Sequence, residues 1–319
     1  MGSPAKPTGA AGARRTGAIR RGAGPVSPTA VLEVLSAGPL TTIQDLGRPG
    51  HAAWGVGASG AADRRSLRLA NRLVGNAEHA AALEVVLGGL HLCAHRAVIL
   101  ALTGARCDAT VDGRPVGHNS VLSLRRGQVL RLRTPATGLR TYVAVRGGID
   151  VEPVLGSRST DVLSGLGPAV VAAGSLLPVG APPPAFPNVD FAPVPDPPHD
   201  EVTLQVTLGP RDDWFTPEAR DALLRTSWTV TPDSNRVGMR LSGTALARAV
   251  CGELPSEGMV RGALQVPPTG LPTLFLSDHP VTGGYPVIAV VVDADVDRAA
   301  QLRPGQTLRF RTIHQPRTR

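Results

Sequence analysis

Three arginines set among glycines and acids, Arg48, Arg158 and Arg236, are the first residues of this sequence that invite a chemical reading. A guanidinium offers paired donors to a carboxylate, a phosphate or a developing oxyanion, at roughly 1.5–3 kcal/mol per charge-assisted hydrogen bond. Similar glycine-rich turns carry Asp45, Asp63, Asp161 and Glu257, which can serve as acids, bases or orienters of those arginines. Gln265 and Tyr285 can bind an amide edge. The candidate catalytic set is Asp45, Arg48, Asp63, Glu257 and Tyr285; the candidate substrate-binding set is Gln44, Asn71, Arg158, Asp161, Arg236, Gln265, Gly283 and Gly284. Polar side chains in turns gain nothing from packing, so loop chemistry explains them better than core structure. The competing reading pairs each arginine with a nearby acid to hold a loop.

Several chemistries are weakened by what the chain lacks. Lys6 is the only lysine, which leaves the folded region without a Schiff-base lysine, a P-loop lysine or a lysine to accept biotin. GxSxG does not occur; Ser59, in Gly57-Ala58-Ser59-Gly60, is one residue short of a nucleophile elbow. Gly55, Gly57 and Gly60 match GxGxxG, but Pro49 to Trp54 before them is no buried strand, which favours a glycine-rich turn over a dinucleotide fingerprint. His91, Cys93 and His95 share a face if their segment is a strand, yet no fourth ligand is signalled and no metal is expected. His118, His199 and His279 stand alone. Cys93, Cys107 and Cys251 are odd in number with no CxxC, against a disulfide framework.

The net charge of +8 raises nucleic acid as a partner. Much of it, however, sits in Lys6, Arg14, Arg15, Arg20 and Arg21, within a Gly/Ala/Pro/Ser segment over residues 1–26 that reads as a disordered basic tail. No aromatic residues alternate with the cations to stack bases, so nucleic acid is not expected. No segment approaches the ~20 apolar residues of a membrane helix, and residues 1–26 hold no signal-peptide core. A cytoplasmic protein without membrane attachment is expected.

The chain length predicts two domains of roughly 150 residues each. With aromatics at 3% and apolar residues at 42%, their cores must be built from Val, Leu, Ile and Ala, which favours strands. Prolines from Pro182 to Pro198 mark 181–200 as a linker between a domain at 27–180 and one at 201–313. Beyond it, Val202, Leu204, Val206 and Leu208 alternate with polar residues as in a half-buried strand. Val98–Leu102, Val129–Arg133, Tyr142–Val145, Leu271–Leu276 and Val287–Val292 are further strands. Helices are predicted after Asp63, ending at Gly75, after Thr216, and after Asp295, ending near Pro304. RRGQVLRL at 125–132 returns as RPGQTLRF at 303–310, a hint of two duplicated β domains.

Ten segments, in order, carry a resemblance: TTIQDLGRPG from Thr41, GASGAAD from Gly57, ANRLVGN from Ala70, ALEVVLGG from Ala82, ALTGA from Ala101, VRGGID from Val145, LGSRSTD from Leu155, SNRVGMRLSG from Ser234, SEGMVRGALQVPPTGLP from Ser256 and TGGYP from Thr282. Over about Val31 to Phe310 the chain resembles the biotin-dependent carboxyltransferase family. The resemblance implies a mainly β fold of two tandem cyclophilin-like β-barrel domains with a few short helices. It implies a subunit of an ATP-dependent 5-oxoprolinase complex, opening 5-oxoproline to glutamate only with a B-type partner protein and a third subunit. ATP would occupy a non-P-loop site, shared with a partner. On that reading Arg48, Arg158 and Arg236 meet carboxylate and phosphate charge, while Asp45, Glu257 and Tyr285 orient groups or move protons. Two alternatives stay open: a carboxyltransferase component acting on urea or a related amide with biotin on another chain, and a non-catalytic subunit antagonising a kinase inhibitor. Thr269, Leu271, His279 and Pro280 depart from the family pattern, which bears on the substrate.

Overall fold

The computed structural model describes residues 1–2 and 30–313, so the tail expected over 1–26 falls, but for its first two residues, outside the described residues. The described chain is mainly β, with three α-helices: α1 (Arg64–Leu73), α2 (Pro217–Arg225) and α3 (Asp293–Ala299).

The first half is two sheets over one core. One sheet runs Leu176–Pro178, Ala30–Ala37, Leu90–Ala94, Val129–Leu132, Ala109–Val111, Arg114–Val116; the other runs Leu40–Gln44, Ala82–Val86, Arg140–Val145, Val98–Gly104, Val121–Leu124. Alternation puts Val34, Leu92 and Leu130 of the first sheet against Ile43, Leu83, Leu100 and Val143 of the second. The second sheet is covered on its other face too. Leu67, Ala70 and Leu73 of α1 pack there on Ala82, Ala101, Tyr142 and Ala144, which is why all six residues of Arg140–Val145 are buried.

The second half is a closed barrel of seven strands: Val202–Leu208, Val287–Val291, Ala263–Gln265, Thr273–Phe275, Gly238–Ser242, Trp228–Val230 and Thr307–Thr312. Closure is made by parallel pairing of Val202 with Leu308 through Val206 with Thr312. The predicted strand over 202–208 has the expected alternation, with Val202, Leu204 and Val206 buried.

The repeated RxGQ turn has the same local structure in both halves. Gly127 and Gly305 both have positive φ, 83° and 86°. Gln128 Oε1 accepts Arg125 N at 2.8 Å, and Gln306 Oε1 accepts Arg303 N at 3.3 Å. Each turn then feeds a barrel or sheet strand.

Asp63 caps α1 by accepting Ser66 N at 2.9 Å, and Thr216 caps α2 by accepting Ala219 N at 3.1 Å, as predicted. The third helix corrects the prediction: it starts at Asp293, two residues before Asp295, and ends at Ala299. Asp295 instead accepts Gln205 N of the neighbouring strand at 2.7 Å, a tertiary bond that outcompetes the local cap.

The Pro-rich stretch is pinned to the first half. Val121 N donates to Asp190 O at 2.9 Å, Ala192 N to Asn119 O at 2.8 Å, and the Arg146 guanidinium lies 4.6 Å over the Phe186 ring. The halves also meet directly. The Asp297 carboxylate accepts the amides of Arg64 and Arg65 at 3.1 Å each, satisfying free donors at the α1 N-terminus. Gln301 bridges too, its Oε1 accepting Arg140 N at 2.9 Å and its Nε2 donating to Asp63 Oδ2 at 2.7 Å.

Candidate functional site

Two groups of polar residues emerge where the halves meet, and they differ in what their hydrogen-bonding capacity is used for. The first is buried and self-satisfied. Arg236, 1% exposed, donates to Glu84, to both oxygens of Asp278 at 2.9 and 3.0 Å, and to Gly60 O at 2.7 Å. Glu84 also accepts the Tyr142 hydroxyl at 2.7 Å and Ala62 N at 2.9 Å, and lies 3.4 Å from Arg140 Nε. Burial alone would raise the Glu84 pKa, but the guanidiniums of Arg236 and Arg140 outweigh it and hold the carboxyl below its usual range. Asp278 is the hub: it further accepts Ser59 Oγ at 2.7 Å and Val162 N at 3.0 Å, joining barrel, glycine-rich turn and the 154–167 loop.

That loop is held from the other side by the QDLGR segment. Asp45 accepts Gly47 N at 2.7 Å, Ser157 Oγ at 2.6 Å, Arg158 N at 2.6 Å and Ser159 Oγ at 2.5 Å. Arg48, 1% exposed, donates to Val154 O at 3.3 Å and to Ser159 O. Gln44 donates to Thr160 O at 2.9 Å. Close approach requires glycine here: Gly47 has φ 89°, and a Cβ would stand 2.4 Å from Ala58 O. Arg158 binds Val151 O at 2.7 Å and Asp150 at 2.9 Å.

The loop so fixed presents Asp161 to a cleft of about 480 Å³ between the halves, lined by Gly55, Gly57, Asp161, Ser164, His279 and Thr282 among others. Asp161 accepts Leu163 N at 2.9 Å and Ser164 Oγ at 2.7 Å. Gly57 keeps the cleft open: a Cβ there would lie 3.4 Å from His279 O and 3.9 Å from Asp161 Oδ2. Leu163 also lines a neighbouring hollow of about 390 Å³ with Asn235, Arg240, Gln265, Phe275 and Tyr285; the two hollows share Leu163 and are together called the groove. Gln265 donates to Tyr285 O at 3.2 Å, and Tyr285 is 45% exposed. Gly283 pairs with Glu257 in a short ladder; a Cβ on it would meet Gln265 Nε2 at 2.5 Å, and one on Gly284 would lie 3.5 Å from Leu254 O. The hydrogen bond and charge of Arg211 hold Glu257 below its usual pKa.

Of the residues predicted from sequence, the groove therefore gathers Asp161, Gln265 and Tyr285, with Gly283, Gly284 and Glu257 on the adjoining ladder. Gln44, Asp45, Arg48 and Arg158 hold the loop behind it, and Arg236 joins the halves. Asp63 and Asn71 lie elsewhere. Asn71 donates to Ala80 O at 2.8 Å, and Asp63 lines a separate cavity of about 170 Å³. Burial, then Asp297, raises the Asp63 pKa against the hydrogen bonds of Gln301 and Ser66.

Sequence reading missed Asp278 and Arg240, and it gave His279 no site role, treating it as a histidine that stands alone. Asp278 and His279 come after the strand Thr273–Phe275, beyond Leu276 and Ser277, and look like the polar turn that ends an apolar run. Arg240 looks like one outward residue of an alternating strand. Among the described residues its guanidinium has no hydrogen-bond or ion-pair partner, and it is exposed at the groove. His95, one of the three residues weighed for metal, pairs with Glu33 at 2.9 Å. No described helix is long and apolar enough to cross a membrane.

Comparison with known proteins agrees with this architecture. Residues 54–312 match the family model "Carboxyltransferase domain, subdomain A and B". The chain is 38% identical to the C-type subunit of 5-oxoprolinase from Escherichia coli over 292 residues, covering 88% of this chain and 90% of that one. It is 35% identical to urea amidolyase of Lachancea kluyveri over 305 residues, spanning 87% of this chain but 17% of that protein. The crystal structure of the K. lactis urea amidolyase superposes with a TM-score of 0.83 at 29% identity, over 90% of this chain and 19% of that one. The family model over most of the chain, together with the identity to a relative covered to 90% of its length, makes this chain a member of the carboxyltransferase-domain family, subdomains A and B.

Proposed function

We propose that the chain is one subunit of an ATP-dependent 5-oxoprolinase that opens 5-oxoproline to glutamate, and that the groove between its halves holds the lactam. One observation carries the reading: the similarity to the C-type 5-oxoprolinase subunit runs nearly end to end in both chains, whereas urea amidolyase shares only a small part of its length. The groove's chemistry supports it. Arg240 offers a free guanidinium to the substrate carboxylate, Gln265 and Tyr285 flank the lactam, and Asp161 stands at the other end to orient a proton donor.

Hydrolysis of a stable lactam becomes feasible when ATP phosphorylates the amide oxygen, so that water attacks an activated carbon. The cleft beside Asp161 is lined by one carboxylate and no cation, which does not suit a triphosphate. Arg236 has all three guanidinium nitrogens turned onto protein acceptors, and Arg48 is buried with Nε and one terminal nitrogen on backbone carbonyls. We therefore place the nucleotide on a partner or at a surface shared with it, a B-type partner protein and a third subunit completing the enzyme. A second reading, carboxyl transfer to urea or a related amide, is favoured by the structural likeness to urea amidolyase; biotin would then arrive on another chain, as Lys6 is the only lysine.

The test is reconstitution. The purified chain alone is expected to form no glutamate from 5-oxoproline and ATP, with turnover appearing on addition of both partners. Steady turnover by the isolated chain, or urea-dependent carboxyl transfer in its place, would contradict the proposal.

A further inference from the structure

His279 lines the cleft beside Asp161, Ser164 and Thr282. Its backbone is fixed because the preceding Asp278 is clamped by Arg236, Ser59 and Val162, and its ring stacks on Phe275 with centroids 6.1 Å apart. Nδ1 lies 2.8 Å from the Pro280 carbonyl oxygen, which can only accept, so Nδ1 carries a hydrogen. In the neutral ring this leaves Nε2 as a bare acceptor, and among the described residues nothing donates to it. Asp161, across Gly57, already accepts from Leu163 N, Ser164 N and Ser164 Oγ. The charged groups around the imidazole are Asp278, Arg261 and Arg64, with Asp161 on the facing loop. Burial lowers its pKa most; the Pro280 hydrogen bond and Asp278 oppose that, Arg261 and Arg64 reinforce it, and the net shift is down from 6.5. The ring is therefore neutral at pH 7.

We infer that His279 Nε2 accepts a hydrogen bond from the N–H of the bound lactam or amide, and so decides which edge of the substrate faces Asp161. This rests on the reading of the groove as the amide site. The ring is half-buried, and an acceptor that a bound substrate takes out of water discriminates against molecules that lack an N–H, because the acceptor is then left without a partner.

The experiment compares wild type, His279→Ala and His279→Asn in the reconstituted complex, with 5-oxoproline as the varied substrate. His279→Ala should raise KM about tenfold or more with a smaller change in kcat, and His279→Asn, which retains an acceptor oxygen, should recover part of the loss. Wild-type kcat/KM should fall on the acid side as the ring protonates, at lower pH than an ordinary histidine would require because burial lowers its pKa, and this acid limb should vanish in His279→Asn. Unchanged KM and an unchanged acid limb would overturn the inference. In parallel, long-range proton–nitrogen spectra of the isolated chain at pH 7 should show the Nδ1–H tautomer and a shift of Nε2 on adding 5-oxoproline. An Nε2–H tautomer would overturn the inference too. Absence of turnover in the complex would refute the functional reading, while a lactam-induced Nε2 shift would still uphold the contact; turnover without that shift would refute the contact alone.

Discussion

The Arg236 cluster and the groove use the same residue types a short distance apart, yet one is closed and the other open. Arg236 turns its guanidinium onto Glu84, Asp278 and Gly60 O, and Glu84 is saturated in return. In the groove, Arg240 has no described partner and Asp161 and His279 face a cavity. The lesson is that a motif rich in Arg, Asp and Gly records the joining of two domains as readily as it records chemistry. What separates the two is where the lone pairs and N–H groups point.

The sharpest way to break that contrast is Arg236→Lys. As an anion-binding residue it would lose activity and keep its stability. As an interdomain clamp it cannot be replaced by a point charge: loss of the fork leaves Glu84 and Asp278 buried with incomplete pairing, at a cost of about 3–5 kcal/mol. Thermal or urea unfolding should show that loss; an unchanged midpoint with inactive enzyme would return Arg236 to the site.

Asp63→Asn should have a much smaller effect, and it sharpens the comparison on the acid side. The Asp63 pKa is raised above 3.8, so its contribution to stability is greatest below the unfolded value and is lost as pH rises through the folded one. Asn keeps an acceptor for Ser66 N and does not ionise. The variant should therefore match or slightly exceed wild type at pH 7 and fall behind near pH 3, as measured by urea midpoints across that range. A large loss at pH 7 would show that the charged carboxylate is needed there.

Local pattern made some of this legible. The alternation of Val202 to Val206 and the caps Asp63 and Thr216 are properties of a few adjacent residues, and the structure follows them. The RxGQ repeat announced one turn used twice. The start of α3 did not show, because Asp295 is drawn to Gln205 in another strand. Glu84 and Arg236 are separated by 152 residues, so nothing in the spacing of either motif reveals their pairing. The groove was half visible: Asp161 and Tyr285 stand out in loops and Gln265 among glycine- and proline-rich motif residues, while Arg240 is hidden on the face of an ordinary strand and His279 beyond the end of another.

Gly57 gives the most direct test of the central claim that the groove, and not the Arg236 cluster, holds the substrate. Its φ is not in the left-handed region, and the first atom of a side chain would sit at ordinary contact distance, 3.4 Å from His279 O and 3.9 Å from Asp161 Oδ2. Gly57→Val should therefore fold with a melting temperature close to wild type and still bind its partners, while filling the cleft. In the reconstituted complex, the account predicts that glutamate formation from 5-oxoproline falls at least about tenfold. Wild-type turnover in a folded, assembled Gly57→Val complex would contradict it.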